Sequence, residues 1–215
     1  MLSNYYTVKN EGSDQIIIQK SRFIGHVKRT ETEEAALDFI QTIKKKHHDA
    51  THNCSAYLIG EHDQIQKAND DGEPSGTAGV PILEVLKKQN LKDTTIVVTR
   101  YFGGIKLGAG GLIRAYGSTT SQAIHTTGIV RRQLMQGISI TIDYTMLGKL
   151  ENEIRNSQHL LSTIHYLEKV ELIVYVKKGE EQSFKEWIVE LTSDQATITD
   201  TDLKYVEIDV EKSGE

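Results

Sequence analysis

The sequence predicts an α+β protein made of two domains, and three observations support this prediction. With 215 residues, the chain has the length of one large or two small domains. Strand-like alternation and helical repeats of apolar residues are interleaved along it. The charge also changes partway: residues 1–134 carry 14 acidic and 17 basic side chains, whereas residues 135–215 carry 16 acidic and 8 basic ones. We therefore expect domains over residues 1–130 and 136–215, joined by a linker at residues 131–135.

The composition is ordinary for a globular protein, with 38% hydrophobic and 26% charged residues. No apolar run approaches the roughly 18 residues that a membrane-spanning helix needs, and the first residues lack the pattern of a secretory signal. The single cysteine, Cys54, excludes an intramolecular disulfide. We therefore expect a cytoplasmic protein with no membrane partner.

The first domain is predicted to begin with two strands and a helix. Three consecutive isoleucines in residues 15–19 and an alternating pattern in residues 21–30 indicate the strands. The helix has acidic residues in its first turn and lysines in its last, which complement the helix dipole, and either Thr30 or Thr32 can cap it. The predicted elements of this domain are strands over residues 15–19 and 21–30, a helix over 31–47, strands over 54–59 and 65–68, a helix over 77–89, a strand at 95–98 and a helix from 112 that ends at Gly128.

A glycine-rich loop separates the strand at residues 95–98 from the helix that follows it. More than half of the seventeen glycines lie between Gly60 and Gly117. Glycine weakens helices and strands, so this density implies positive φ angles or the close approach of another group. A strand, a glycine loop and a helix in this order present free backbone N–H groups at the positive end of a helix dipole. We therefore predict an anion site, and we favour phosphate as the anion.

Charged and aromatic side chains beside the loop extend this predicted site. Arg100, Lys106 and Arg114 add positive charge. Tyr101 and Phe102 carry rings that either stack on a nucleic-acid base or pack in the core. The residues predicted to contact a ligand or nucleic acid are Arg100, Tyr101, Gly103, Gly104, Lys106, Gly108, Gly110, Gly111 and Arg114.

The loop does not match the common phosphate and nucleophile motifs. A Walker loop requires lysine where Ala109 stands, and the dinucleotide fingerprint requires glycine where Ile113 stands. Around Ser75, a nucleophile elbow would require glycine in place of Glu73. The alternative that the glycines only allow tight turns and close packing therefore remains open.

An acidic loop precedes the glycine loop, and three interpretations of it remain open. Its carboxylates could share a proton or hold Mg²⁺ through water, or they could simply form turns. We favour a third interpretation, in which they pair with Arg100 and Arg114 and hold the two loops together. Its hydroxyl groups have no histidine or lysine base at recognisable local spacing, so no catalytic residue is predicted. The members of this acidic site are Asp70, Asp71, Glu73, Ser75 and Thr77.

A group of histidines before Cys54 has the residue types of a metal site. His48 and His52 have the spacing that would place them on one face of a helix, but the predicted helix ends near His47. We therefore interpret this segment as a polar connection between helix and strand, with His52 as a hydrogen-bond donor beside the glycine loop. No metal and no cofactor are predicted.

The second domain has a compact β-α-β-β-α-β pattern. This order of elements is the split β-α-β arrangement of ferredoxin-like domains. Its elements are predicted as a strand at residues 138–142, a helix over 146–157, strands over 160–166 and 170–176, a helix over 180–191 and a strand over 197–210.

Two motifs in residues 70–117 resemble the signature of the IMPACT family. The first reads Asp-Asp-Gly-Glu-Pro-Ser-Gly-Thr-Ala-Gly, and the second combines Val-Val-Thr-Arg-Tyr-Phe-Gly-Gly with Leu-Gly-Ala-Gly-Gly-Leu-x-Arg-Ala-Tyr. The resemblance to the bacterial two-domain branch implies a first domain like the second domain of ribosomal protein S5. It also implies a ferredoxin-like second domain, so that the pair resembles the last two domains of elongation factor G. Eukaryotic relatives regulate translation by restraining an amino-acid-starvation kinase.

The sequence and this resemblance together predict a non-enzymatic binding protein. We expect it to regulate translation in a stress response, through RNA or a ribosome-associated protein, with a phosphate-type anion at the glycine loop. The alternative is an enzyme that acts on a phosphorylated small molecule at residues 103–111. A binder should show an open basic surface around the three cations, whereas an enzyme should show a closed pocket in which a carboxylate converges on the loop. A protein-interaction module would show neither, and its binding would depend little on salt.

Overall fold

The computed structural model of the chain describes residues 1–210 and divides them into two compact units. The N-terminal unit comprises residues 5–131 and 208–210, and the C-terminal unit comprises residues 1–4 and 132–207. The elements are β1 (Asn4–Val8), β2 (Gly12–Ile18), β3 (Ser21–Arg29), α1 (Glu33–Lys46), β4 (His52–Ile59), β5 (Ile65–Asn69), α2 (Gly79–Lys88), β6 (Thr94–Tyr101), α3 (Gly108–Thr127), β7 (Ile129–Ile142), α4 (Tyr144–Arg155), β8 (Leu160–Tyr166), β9 (Val170–Lys177), α5 (Glu181–Thr192) and β10 (Thr197–Asp209).

The N-terminal unit is built on a five-stranded antiparallel sheet in the order β2-β3-β6-β4-β5. Central strand β6 shows how both faces of this sheet are used, because side chains alternate along a strand. Ile96 and Val98 pack in a core formed with α2 and α3. Val97 packs in a separate core on the α1 side. With a helix layer on each face, seven of the eight β6 residues are buried, which explains its continuous apolar and threonine-rich sequence.

All five predicted helices are present, but α3 begins at Gly108 and not at residue 112, so Gly108, Gly110 and Gly111 lie in its first turn and not in the loop. The Thr32 side chain accepts a hydrogen bond of 3.1 Å from the Ala35 backbone and so caps α1. The first turn of α1 contains two glutamates and its last turn three lysines, which confirms the predicted complement to the helix dipole. The order strand, glycine loop, helix is also confirmed, since residues 102–107 connect β6 directly to α3.

The C-terminal unit confirms the predicted β-α-β-β-α-β order. Strands β7, β9 and β8 are neighbours in that order, and β10 pairs with β7. Alternate residues Ile138, Ile140 and Ile142 of β7 pack against Phe184 and Ile188 of α5 in the core of this unit. The whole chain is therefore an α+β protein with two sheets and five helices within its described residues.

Two features differ from the predicted organisation. Strand β1 at Asn4–Val8 had no predicted counterpart; it lies at the edge of the second sheet, beside β7. The segment predicted as a linker, residues 131–135, belongs to the continuous fourteen-residue strand β7. The backbone N–H of Leu134 donates to the Ser3 carbonyl oxygen at 2.9 Å, so these residues lie in a strand with a partner distant in sequence and not in an irregular connection.

No helix within residues 1–210 is long and apolar enough to cross a bilayer.

Candidate functional site

The glycine loop forms one wall of a cavity of about 410 Å³, which we call the loop cavity. Strand β6 supplies Arg100 at its end, and the first turn of α3 supplies exposed backbone at Gly108 and Ala109. The acidic loop closes another side with Glu73. The loop cavity is lined by Thr51, His52, Glu73, Pro74, Arg100, Phe102, Lys106, Leu107, Gly108, Ala109 and Leu112.

A buried ion pair holds the acidic loop against the sheet. Glu73 Oε1 accepts a hydrogen bond from Arg100 Nη1 at 2.6 Å and another from the Tyr116 hydroxyl at 2.8 Å. Only 6% of the Arg100 side chain and 4% of the Glu73 side chain are exposed. A buried carboxylate needs such partners, because an uncompensated charge is strongly disfavoured away from water. The predicted pairing between the two loops is therefore confirmed for Glu73 and Arg100.

Arg100 is fixed by contacts on several sides but is not fully satisfied. Its guanidinium carbon lies 5.3 Å from the ring centres of both Phe23 and Phe102. Its Nη2 lies 3.5 Å from the Ser21 hydroxyl. Its Nε atom is buried without a hydrogen-bond partner among residues 1–210. This residue, predicted as an open contact for a ligand, is instead a buried group with one unused donor.

His52 lies at the same cavity, as the sequence predicted. Its Nδ1 donates to the Asp71 carbonyl oxygen at 2.8 Å, because a carbonyl can only accept. The other ring nitrogen, Nε2, lies 3.9 Å from Glu73 Oε2. A neutral His52 therefore carries its proton on Nδ1, and its unprotonated Nε2 makes no hydrogen bond with the Glu73 carboxylate.

Cys54 is buried near the ion pair, and its thiol is not an activated nucleophile. Its sulfur is 2.9 Å from the Asp70 carbonyl oxygen and 3.3 Å from the Tyr116 hydroxyl. Burial, reinforced by the nearby Glu73 carboxylate, raises the pKa of the Cys54 thiol to about 12. Burial also raises the pKa of Tyr116, so both groups stay protonated near neutral pH. The sequence analysis did not identify Tyr116 as a partner of Glu73, since the two residues are distant in sequence.

Asp70 and Asp71 each accept their own structural hydrogen bonds and do not converge on a shared metal position. The Asp70 carboxylate accepts backbone hydrogen bonds from Gly76, Ala78 and Gly79 at 2.8–3.0 Å. Burial raises the pKa of Asp70, but these three bonds outweigh it and set the pKa below its ordinary value. The Asp71 carboxylate accepts from the Asn53 backbone at 2.7 Å and from Lys44 Nζ at 2.6 Å, so neither aspartate pairs with an arginine.

The remaining metal and nucleophile hypotheses find no matching geometry. Thr77 donates its hydroxyl to the Pro74 carbonyl at 2.6 Å, and Ser75 is exposed. His47 Nδ1 lies 3.0 Å from the Tyr101 hydroxyl, apart from His52 and its partners. Within the described part of the chain, no three His, Cys, Asp or Glu side chains are placed to hold a metal ion.

The five glycines within residues 103–111 have different reasons to be glycine. Gly104 and Gly108 have φ of +85° and +69°, a region that other residues rarely adopt. A Cβ atom at Gly103 would clash with the Lys20 backbone, and one at Gly111 would lie 2.9 Å from Leu107 Cβ. A Cβ atom at Gly110 would meet only the end of a flexible arginine side chain at 3.7 Å. Only Gly110 has neither constraint, so it is the glycine whose presence best fits access to the loop.

The predicted cluster of three cations does not form. Lys106 lines the loop cavity, but Arg114 lines a separate groove of about 840 Å³ between α2 and α3. Tyr101 contributes to neither, since its hydroxyl donates to Asp49 at 3.1 Å and its ring stacks under Arg22 at 4.4 Å. Among the described residues, the open basic surface expected around these three cations is therefore absent, because Arg100 is buried and Arg114 lines the other groove.

Known proteins share both the sequence pattern and the fold of this chain. A model of the Impact N-terminal domain matches residues 19–124, and a model of a domain of unknown function, DUF1949, matches residues 140–195. The chain is 60% identical over 207 residues to the IMPACT family member YvyE of Bacillus subtilis (strain 168), covering 96% of this chain and 95% of the relative. It is 38% identical over 151 residues to the IMPACT family member YigZ of Escherichia coli (strain K12), covering 66% and 74%.

A solved structure supports the same architecture. The crystal structure of a hypothetical protein aligns with a TM-score of 0.60 and 28% identity, covering 94% of this chain and 99% of that chain. The two-domain α+β fold is therefore shared with this structure over nearly the full length of both chains.

Proposed function

This chain belongs to the IMPACT family, and from that premise we propose that it is a cytoplasmic binding protein that regulates translation through RNA or a ribosome-associated partner. Membership of the family supports a regulatory, non-enzymatic role in general. The phosphate-type anion at the loop cavity and the RNA partner are the finer parts of the proposal.

The observation that carries the proposal is the unopposed positive end of α3. This twenty-residue helix has no acidic residue in its first turn and no side-chain cap. Its first residues, Gly108 and Ala109, line the loop cavity. Uncapped N–H groups and the helix dipole favour an anion at this position. Lys106 adds a full positive charge to the same cavity. Within residues 1–210, no carboxylate forms an ion pair with it.

The side chains in and around the same cavity are poorly suited to covalent catalysis. The Cys54 thiol is buried and protonated near neutral pH, since its pKa is about 12. The Thr77 hydroxyl is engaged with a backbone carbonyl. The Glu73 carboxylate is neutralised by Arg100 and bonded to Tyr116. These engagements favour a role in binding over one in nucleophilic chemistry.

One observation favours the alternative, an enzyme acting on a phosphorylated small molecule. Glu73 is a carboxylate that converges on the glycine loop, and its Oε2 faces His52 Nε2 at 3.9 Å. A carboxylate beside an imidazole is a common acid–base arrangement. Substitution of His52 by glutamine separates the two functions. An enzyme should lose turnover of its phosphorylated substrate in this variant, whereas a binder should show no turnover with either histidine or glutamine at this position.

RNA binding over a salt series tests the main proposal. A labelled single-stranded RNA is titrated with wild-type protein, with Lys106→Gln and with the control Lys45→Gln, which removes an exposed lysine on α1. We expect Lys106→Gln to weaken binding and to reduce the slope of log K against log salt by about 0.7–1 unit. Absence of salt-dependent binding, or equal effects of the two substitutions, would overturn the proposal.

A further inference from the structure

We propose that the loop cavity is a site for a single nucleoside phosphate, with the phosphate at the N-terminus of α3 and the base against the Phe102 ring. The inference rests on the proposed function, which places a phosphate-type anion in this cavity. It adds the chemical class of the ligand and the group that recognises its base. The nucleotide can be free or can be one unstacked nucleotide of an RNA strand.

The cavity has a defined end for the phosphate. Gly108 and Ala109 expose the backbone of the first turn of α3, where N–H groups have no side-chain cap. At Gly108 a Cβ atom would have no neighbour within 4 Å, so a ligand oxygen can approach the backbone closely. Lys106 stands at the same wall. Phosphate oxygens are strong acceptors that match this combination of helix N-terminus and lysine.

A second observation, independent of the helix, also points to a ligand. Arg100 is only 5% exposed, lines the loop cavity and has a buried Nε donor without a partner among the described residues. Buried donors are almost always satisfied, and an exception calls for a missing acceptor. Glu73 already occupies one side of this guanidinium, and because Arg100 lines the loop cavity, a ligand bound there is one source of the missing acceptor. Nucleotides offer such acceptors on the phosphate, the ribose and the base.

Phe102 gives the cavity a platform for a flat ring. The residue is 45% exposed, which is unusual for a phenylalanine that follows a buried strand. It lines the cavity, and the Arg100 guanidinium carbon lies 5.3 Å from its ring centre. An exposed ring next to phosphate-binding groups is the arrangement on which unstacked bases are held. A bare phosphate would leave this ring in water, which is why we infer a nucleotide.

The size and the remaining polar groups fit this ligand. The volume of about 410 Å³ lies within the range of about 300–1,000 Å³ that is typical of small-molecule sites. His52 and Thr51 lie in the same lining and offer polar atoms to a ribose or a base edge. Because Arg100 neutralises Glu73, the cavity does not repel the phosphate with a net negative charge.

Titration calorimetry with AMP, adenosine and inorganic phosphate tests the inference on the full chain. The variants are Phe102→Leu, which keeps an apolar side chain but removes the ring, and Tyr166→Leu, a control at an exposed aromatic residue of the C-terminal unit. We expect AMP to bind at least about tenfold more tightly than adenosine or phosphate. Phe102→Leu should weaken AMP at least about tenfold without changing phosphate binding, and Tyr166→Leu should change neither.

A competition arm identifies the source of the nucleotide. If AMP displaces bound RNA, and Phe102→Leu weakens the binding of both AMP and RNA, the two ligands share one site. If RNA binding depends on Phe102 but free AMP does not bind, the ligand is a nucleotide within RNA. If RNA binds but neither AMP nor Phe102→Leu affects it, the inference is overturned while the proposed function stands. AMP binding without RNA binding supports the nucleotide site and overturns the RNA part of the proposed function. If neither AMP nor RNA binds, both are overturned.

Discussion

The ion pair between Glu73 and Arg100 leads to a prediction that can be worked out in detail. Substitution Glu73→Gln keeps the shape of the side chain and an oxygen for the Tyr116 hydroxyl, but it removes the only carboxylate paired with Arg100 within residues 1–210. The Arg100 guanidinium would then be a buried charge without compensation. Removing one partner of a buried pair costs about 3–5 kcal/mol of unfolding free energy. Because both side chains are at least 94% buried, solvent screening reduces this cost little.

The measurement is urea unfolding followed by circular dichroism at pH 7. The matched control is Glu84→Gln, since Glu84 pairs with Lys87 at 3.6 Å on the exposed surface of α2. An exposed pair of this kind contributes about 0–1 kcal/mol. We also expect the double variant Glu73→Gln with Arg100→Met to be less destabilised than the sum of the two single variants. If Glu73→Gln costs no more than Glu84→Gln, the buried pair does not hold the loop and the account of the cavity fails.

Three further predictions follow from the same region. Asp70→Ala should lower the free energy of unfolding by about 1–2 kcal/mol at pH 7, measured from urea midpoints. Because the pKa of Asp70 in the folded protein lies below its ordinary value, the ionised carboxylate stabilises the fold, and this stabilisation is lost on protonation. The difference in unfolding free energy between wild type and variant should therefore shrink as the pH falls below about 4. Gly110→Ala should keep the melting temperature within a few degrees but weaken RNA binding about tenfold, whereas Gly108→Ala, at positive φ, should also lower the melting temperature. The Cys54 thiol should react with Ellman's reagent at pH 8 only after unfolding, because burial raises its pKa to about 12; rapid reaction of the folded protein would contradict its burial.

Much of the fold could be predicted because its elements are encoded by local patterns. The alternation in Ile138, Ile140 and Ile142 and the predicted bounds 160–166 for β8 are confirmed, since side-chain period and flanking turns depend on neighbouring residues alone. The acidic first turn and lysine-rich last turn of α1 are local in the same way. Strand β1 lacked such a signal, because it is short and its pairing partner in β7 lies far along the chain.

The same distinction between local and long-range features applies to the candidate site. Glycine density and the order of strand, loop and helix were sufficient to predict the elements that line the loop cavity, because each feature is a property of consecutive residues. Only the tertiary structure decided that Arg100 turns inward to Glu73 while Arg114 lines a groove with α2. Tyr116 likewise acquired its partner across 43 residues of sequence. The physical reason is that spacing determines which face of an element a side chain occupies, whereas charge pairing depends on how elements distant in sequence pack together.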